Sequence, residues 1–157
     1  MSQHAPMAPA ATLAQLICHG VFDRFPELKF YFAELNCVYM PGMLYYMDRN
    51  YHEFNDWFQV SLKKEPSEYV LDHIWFTTQP LDFPDDRNEL AKALEWMQGD
   101  RILLFSTDYP HWTFDDPKWV IRQIPEQLRE AIMFENGIKL FNLPREVPAI
   151  EGQTRVW

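Results

Sequence analysis

Arg101-Ile-Leu-Leu-Phe-Ser-Thr-Asp-Tyr-Pro-His111 decides the fold. Ile102, Leu103, Leu104 and Phe105 form an unbroken apolar run rather than an alternating one, which suits a strand covered on both faces in a parallel sheet. Polarity then returns at once in Ser106, Thr107 and Asp108, as it does where a parallel strand leaves its core and reaches the end of the sheet that meets ligands. The pattern predicts a strand over 101–107.

Two earlier stretches repeat the pattern. Leu28 to Glu34 is nearly all apolar until Glu34, and Ile74 to Thr78 is a second short apolar run. Helices are expected between them. Thr12 to Phe22 spaces Leu13, Leu16, Ile17 and Val21 on one face before Pro26, and Pro41 to about Trp57 places Pro41 in a first turn with Met43, Leu44, Met47 and Phe54 as apolar positions. Asp85 or Asp86 can cap a helix reaching Met97, with Leu90, Ala93, Leu94 and Met97 on one side and Gly99 as its stop. Asp115 or Asp116 can cap another that opens at Pro117, and Glu126 to Phe141 supplies one or two closing helices. Strand and helix alternating three times after a first helix imply an α/β fold with about three parallel strands and flanking helices. So few strands leave two open edges and poor cover for Phe30, Phe32, Phe76 and Phe105, as expected of a piece of a larger sheet or barrel.

Composition narrows the function classes. The 157 residues are 47% hydrophobic and 16% aromatic, enough for one domain with a real core. A net charge of −9 without a basic cluster excludes a nucleic-acid partner, since binding a polyanion requires Lys and Arg at its phosphates. Cys18 and Cys37 form neither a C-x-x-C pair nor a disulfide framework and read as buried thiols in a reducing compartment. The first Lys or Arg is Arg24 and no apolar run reaches membrane-spanning length, so a cytoplasmic protein without a membrane partner is expected. Residues 1–11, rich in Ala and Pro, are expected to be irregular. No G-x-S-x-G elbow, G-x-G-x-x-G turn or phosphate loop occurs, so serine-hydrolase and nucleotide-binding readings lose their support.

Chemistry is sought where the strands end. The first end offers Glu34 and Asn36, the second Thr77, Thr78 and Gln79, the third Ser106, Thr107 and Asp108 with His111 close behind. A carboxylate emerging directly after Leu103, Leu104 and Phe105 is costly at the mouth of a low-dielectric core unless an ion or a donor pairs it, which makes Asp108 the strongest candidate. A turn-forming or helix-capping aspartate before Tyr-Pro is the plain alternative. Glu34 at a strand end and His111 on the Asp108 loop share its face, though both residue types also serve ordinary roles there. His73 precedes its strand and belongs at the opposite, structural end. His52 with Glu53 lacks the second histidine of H-E-x-x-H, and His4 and His19 are not expected to bind metal. Trp75, Trp96, Trp112 and Trp119 read as packing rather than a stacking platform, because no basic groove accompanies them.

Three stretches carry a family resemblance. Gly20-Val-Phe-Asp-Arg-Phe-Pro-Glu-Leu-Lys-Phe-Tyr-Phe-Ala-Glu34 resembles the segment leading into the sixth strand of the amidohydrolase-related (amidohydrolase 2) family, the group of aminocarboxymuconate semialdehyde decarboxylase and similar enzymes. Leu104-Phe-Ser-Thr-Asp-Tyr-Pro-His111 resembles its last barrel strand. Ile132-Met-Phe-Glu-Asn-Gly-Ile-Lys-Leu-Phe-Asn-Leu143 is similar to its closing helix, with Gly137 where a small residue, often Ala, is usual.

That resemblance implies the C-terminal part of a (β/α)8 TIM barrel over residues 12–143, followed by a tail over 144–157. It implies a metal-dependent hydrolase or nonoxidative decarboxylase, with Asp108 as catalytic metal ligand and Glu34 and His111 facing a small-molecule substrate. The aromatic content near the strand ends suits an aromatic or unsaturated carboxylic acid. The family's H-x-H pair and its further histidine have no counterpart here. A divalent metal, zinc by resemblance, is therefore expected to bind firmly only if the missing ligands come from elsewhere, such as a complementing N-terminal chain. The alternative is a noncatalytic remnant that buries its open edges in a homo-oligomer.

Overall fold

The computed structural model describes residues 7–54, 61–82 and 85–146. Its order is α1 (Met7–Cys18), α2 (Val21–Arg24), β1 (Phe30–Phe32), α3 (Met40–Glu53), α4 (Pro66–His73), β2 (Ile74–Thr77), α5 (Arg87–Trp96), α6 (Gly99–Ile102), β3 (Leu103–Leu104), α7 (Pro117–Gln123) and α8 (Glu126–Glu130). A π-helical turn (Ala131–Glu135) then runs into α9 (Asn136–Phe141). The three strands pair in parallel in the order β1-β2-β3, with Phe32 opposite Phe76 and Phe76 opposite Leu103. This is the expected α/β arrangement of about three parallel strands.

One face of the sheet is packed by helices. Phe32, Ile74, Phe76 and Leu103 join Leu13 and Ile17 of α1, Leu44 and Met47 of α3, Leu90 and Leu94 of α5, and Ile132 in one buried cluster. Each of these side chains contributes roughly 1.5–3 kcal/mol on leaving water. Phe32 and Phe76 stack 5.3 Å apart and are covered, contrary to the expectation that they would be poorly protected. The other face is less complete. Side chains alternate along a strand, so Tyr31 points opposite to Phe32, and it is 51% exposed. The first strand is therefore open on one face rather than covered on both. Phe141, at the end of α9, sets its ring edge-on to Tyr31 at 5.8 Å, so the last helix reaches across to the first strand.

The two sheet edges differ. Leu104 faces β2, its carbonyl accepting from the Thr78 amide (2.8 Å), so the backbone groups of Leu103 and Phe105 face the outer edge. There the Phe105 amide donates to the carbonyl of Ile132 in the π-helical turn (3.0 Å), and the buried Asn136 amide nitrogen donates to the Leu103 carbonyl (2.8 Å). The expected open edge at β3 is thus capped by the chain's own closing segment, which removes the cost of orphaned backbone groups.

Several boundaries move. The helix begins at Met7, inside the stretch expected to be irregular, and it ends at Cys18 because Gly20 turns into the left-handed region at φ 61°. The third strand is short: Arg101 and Ile102 belong to α6. Gly99 is not the stop of α5. Gln98 takes the left-handed φ of 54°, and Gly99 sits inside α6, where a Cβ would lie 3.1 Å from the Leu103 side chain and 3.2 Å from the Leu94 carbonyl. Asp86 and Asp116 are the caps of α5 and α7. Helix α4 is an element the apolar periodicity does not reveal. Pro66 opens it, and the Glu65 amide donates to Glu68 Oε2 (2.9 Å), satisfying one of its first donors. The expected reach of α3 to Trp57 lies outside the described residues beyond Phe54.

Candidate metal centre at the strand ends

Glu34, Asp108 and His111 come together at the carboxyl end of the sheet, each offering a donor atom, with those atoms within 4.8 Å of one another. These are the three residues singled out in the sequence. Glu34 follows β1 and Asp108 follows β3, so β2 lies between the strands that present them. Both take left-handed backbone, φ 58° at Glu34 and 60° at Asp108, and Asn36 does the same at 58°. Left-handed turns at non-glycine residues cost of order 1–2 kcal/mol and concentrate where a side chain must be aimed. Cis Gln79–Pro80 and Tyr109–Pro110 bonds lie in the adjoining loops.

The Asp108 carboxylate is only 9% exposed, and His111 stands outside it. His111 Nδ1 lies 2.9 Å from Asp108 Oδ2, which also accepts from Thr113 Oγ1 at 3.4 Å. The loop folds back tightly: the His111 amide donates to the Asp108 carbonyl (2.8 Å), and the Asp115 amide returns to the Thr107 carbonyl (2.9 Å).

The middle strand braces both sides. Thr77, Thr78 and Gln79 are three consecutive buried polar residues. Thr77 Oγ1 accepts from the Glu34 amide (2.9 Å) and donates to the Gln79 carbonyl (3.0 Å). Thr78 Oγ1 donates to the Ser106 carbonyl (3.3 Å) and accepts from its amide (3.2 Å). Gln79 Nε2 donates to the Thr113 carbonyl (3.1 Å). In the sequence these three are only polar residues closing an apolar run, a pattern that does not say what they bind.

Asp115 is a further rim acid that sequence reading takes only as a possible cap. Burial pushes its carboxyl up, with Asp82 and Asp108 adding repulsion, against a backbone donor at Leu81 that opposes the rise. One of its oxygens is buried without a hydrogen-bond partner. Cys37 is a buried free thiol held up at about 12 by burial first and Asp82 second, while Cys18 is half-buried and also free. Aromatic groups lie on the loop that carries Asp108 and His111: Tyr109 and Phe114 meet edge-on at 5.9 Å, and Trp112 is 85% exposed.

The remaining candidates resolve as structural. His73 ends α4, is buried, hydrogen-bonds through Nδ1 with the Leu28 carbonyl (3.0 Å) and stacks on Phe22 at 4.6 Å. His52 lies 3.0 Å from Glu65, away from the strand ends. Among the described residues no helix is long and apolar enough to cross a membrane.

A parallel α/β unit that gathers two acids and a histidine beyond its strands has the architecture of a partial (β/α)8 barrel. The family model described as Amidohydrolase matches residues 1–143, and the chain belongs to that family. It is similar in fold to 5-carboxyvanillate decarboxylase from Sphingomonas paucimobilis, with TM-score 0.66 and 22% identity over 88% of this chain and 41% of that one. A dihydroxybenzoic acid decarboxylase from a Polaromonas species, solved with bound manganese and the inhibitor 2-nitroresorcinol, gives TM-score 0.62 and 23% identity over 90% and 42%. The 2,6-dihydroxybenzoate decarboxylase from Rhizobium gives 0.57 and 24% over 85% and 40%. The chain therefore spans about two fifths of the length of these structures.

Proposed function

We propose that the chain carries part of the active site of a metal-dependent decarboxylase or hydrolase acting on a small aromatic carboxylic acid. The observation behind this reading is the convergence of Glu34, Asp108 and His111 within 4.8 Å. Two carboxylates and an imidazole fit a divalent ion, and this mixed oxygen and nitrogen set suits manganese as well as zinc. Asp108 would hold the ion, with Glu34 next to it. When bound, such an ion polarises an oxygen of the substrate or lowers the pKa of water.

The chain's own residues supply orientation and proton handling. Asp108 fixes the His111 ring through Nδ1, leaving Nε2 free to donate to or accept from a substrate hydroxyl or carboxyl. The rim formed by Tyr109, Trp112 and Phe114 offers aromatic surface beside those groups, which supports an aromatic rather than an aliphatic acid. Asp108 shares one oxygen with His111 and Thr113, so its capacity for an ion is reduced, and firm binding and turnover require donors supplied by another segment or chain.

Titration of the purified chain with Mn2+, followed by loss of the free-ion electron paramagnetic resonance signal, tests this. Expected is one site, weaker than submicromolar, that disappears in Asp108→Ala. Equal uptake by Asp108→Ala, or submicromolar binding by the unaltered chain, would overturn the assignment or the account of missing donors respectively.

A second reading, a noncatalytic unit that folds by itself, is favoured by the capped β3 edge. Sedimentation velocity separates its forms: a cooperatively folding monomer supports self-sufficiency, and a concentration-dependent oligomer supports pairing through the β1 edge.

A further inference from the structure

Gln79 is 4% exposed, yet its side chain belongs to neither the apolar cluster nor the donor set. A buried carboxamide is costly unless it makes hydrogen bonds, and this one makes a single bond, from Nε2 to the Thr113 carbonyl at 3.1 Å. A carbonyl can only accept, so the amide orientation is set by its partner. Thr113 in turn reaches Asp108 Oδ2 through its own hydroxyl at 3.4 Å. The Gln79 backbone carbonyl meanwhile accepts from Thr77 Oγ1, the same hydroxyl that receives the Glu34 amide. One residue of the middle strand end is therefore tied toward Glu34 through its main chain and toward Asp108 and His111 through its side chain.

We propose that Gln79 is a positioning residue, a buried crossbar that sets the loop bearing Asp108 and His111 at its working distance from the loop bearing Glu34. This rests on the reading of those three residues as the metal and substrate site. Groups that orient metal ligands govern affinity without touching the ion. Ordinary packing does not account for the arrangement, because an apolar side chain of the same length would fill the space without the desolvation cost of an amide.

Gln79→Met keeps length and volume and removes the donor. Under conditions where both proteins are folded, amide exchange at Glu34, His111 and Asp115 is expected to accelerate, while the Met97 amide, which caps the end of α5 by donating to Ala93, is unchanged. Exchange altered uniformly, or not at all, overturns the proposal. Mn2+ affinity is expected to fall about 10-fold, and Thr113→Val, which cuts the next link, to add little to that loss in the double variant. Full additivity, or an affinity equal to that of the unaltered chain with only a lowered melting temperature, would reduce Gln79 to a structural group. Should the unaltered chain take up no Mn2+, the metal reading falls, and the exchange pattern still decides whether the crossbar exists.

Discussion

At the amino-terminal end of the sheet, Tyr69 is 2% exposed and its hydroxyl is fully used: it donates to Asp23 Oδ1 at 2.7 Å and accepts from the Lys63 and Lys64 amides at 3.0 and 3.2 Å. Phe22 and His73 stack beside it, and Asp72 is held between Lys64 and Arg101. At the carboxyl end, Glu34, Asn36 and Asp108 take left-handed backbone, and buried oxygens of Gln79 and Asp115 have no partner. At the amino end the Tyr69 hydroxyl thus has its hydrogen bonds filled within a packed cluster, whereas the carboxyl end gathers three left-handed residues and crowded acids. Under the proposed function, the polar groups of the carboxyl end are those an ion and a substrate would use, and the packed opposite end supplies stability.

The largest effect is expected from Tyr69→Ala. It removes a buried ring and leaves two amides and a carboxylate without their shared partner, so a loss of about 3–5 kcal/mol is expected in urea unfolding. Asp108→Ala at the other end should stay within about 1 kcal/mol while abolishing Mn2+ uptake. Equal destabilisation by both would mean that the rim is as structural as the base.

Asn136 probes the side edge that joins the two ends. Its amide is the partner of the Leu103 carbonyl, and Asn136→Ala leaves that buried oxygen orphaned. The expected cost is about 1–3 kcal/mol, with faster exchange at the Phe105 amide, whose acceptor Ile132 lies in the adjoining turn. Unchanged exchange at Phe105 would show that the π-helical turn holds the edge without the side chain.

Much of this organisation is legible in the sequence. The apolar runs before Glu34, Thr77 and Asp108 reveal parallel strands and their polar ends; burial on both faces erases alternation in the middle strand, whereas the first keeps Tyr31 exposed on one face. Glu34 and Asp108 stand out for the same reason, a carboxylate closing such a run at the mouth of the core, and His111 through its place on the Asp108 loop; the structure brings the three together. What escapes is decided by tertiary contacts. Helix α4 shows no long apolar periodicity over its eight residues and is marked only by Pro66 and its capping glutamates. The edge cap at β3 depends on Asn136 meeting Leu103, 33 positions away, and no local pattern announces that. Gln79 reads as one polar residue among three until the Thr113 carbonyl is placed above it.

The smallest effects contrast two acids, one at each end, by their pH dependence. Asp72 has its carboxyl lowered, first by its hydrogen bond to Lys64 and then by the charges of Lys64 and Arg101, against opposing burial. Its folded form favours ionisation more than the unfolded chain does. Its stabilisation is therefore present above the ordinary carboxylate pKa of about 4 and lost as pH falls through the lowered value. The side chain is 40% exposed, so Asp72→Asn should cost only about 0.3–0.5 kcal/mol near neutral pH, and nothing in strong acid. Asp115 is raised by burial, so the sign reverses: its ionisation opposes folding, and stability is lost as pH rises through the raised value. Asp115→Asn keeps an acceptor for the Leu81 amide and brings an amide donor toward Asp82 and Asp108. It should raise the melting temperature near neutral pH, with the gain fading below about pH 4. Melting curves across that range decide it, and a loss at neutral pH would mean that the Asp115 charge is balanced at the rim rather than tolerated there.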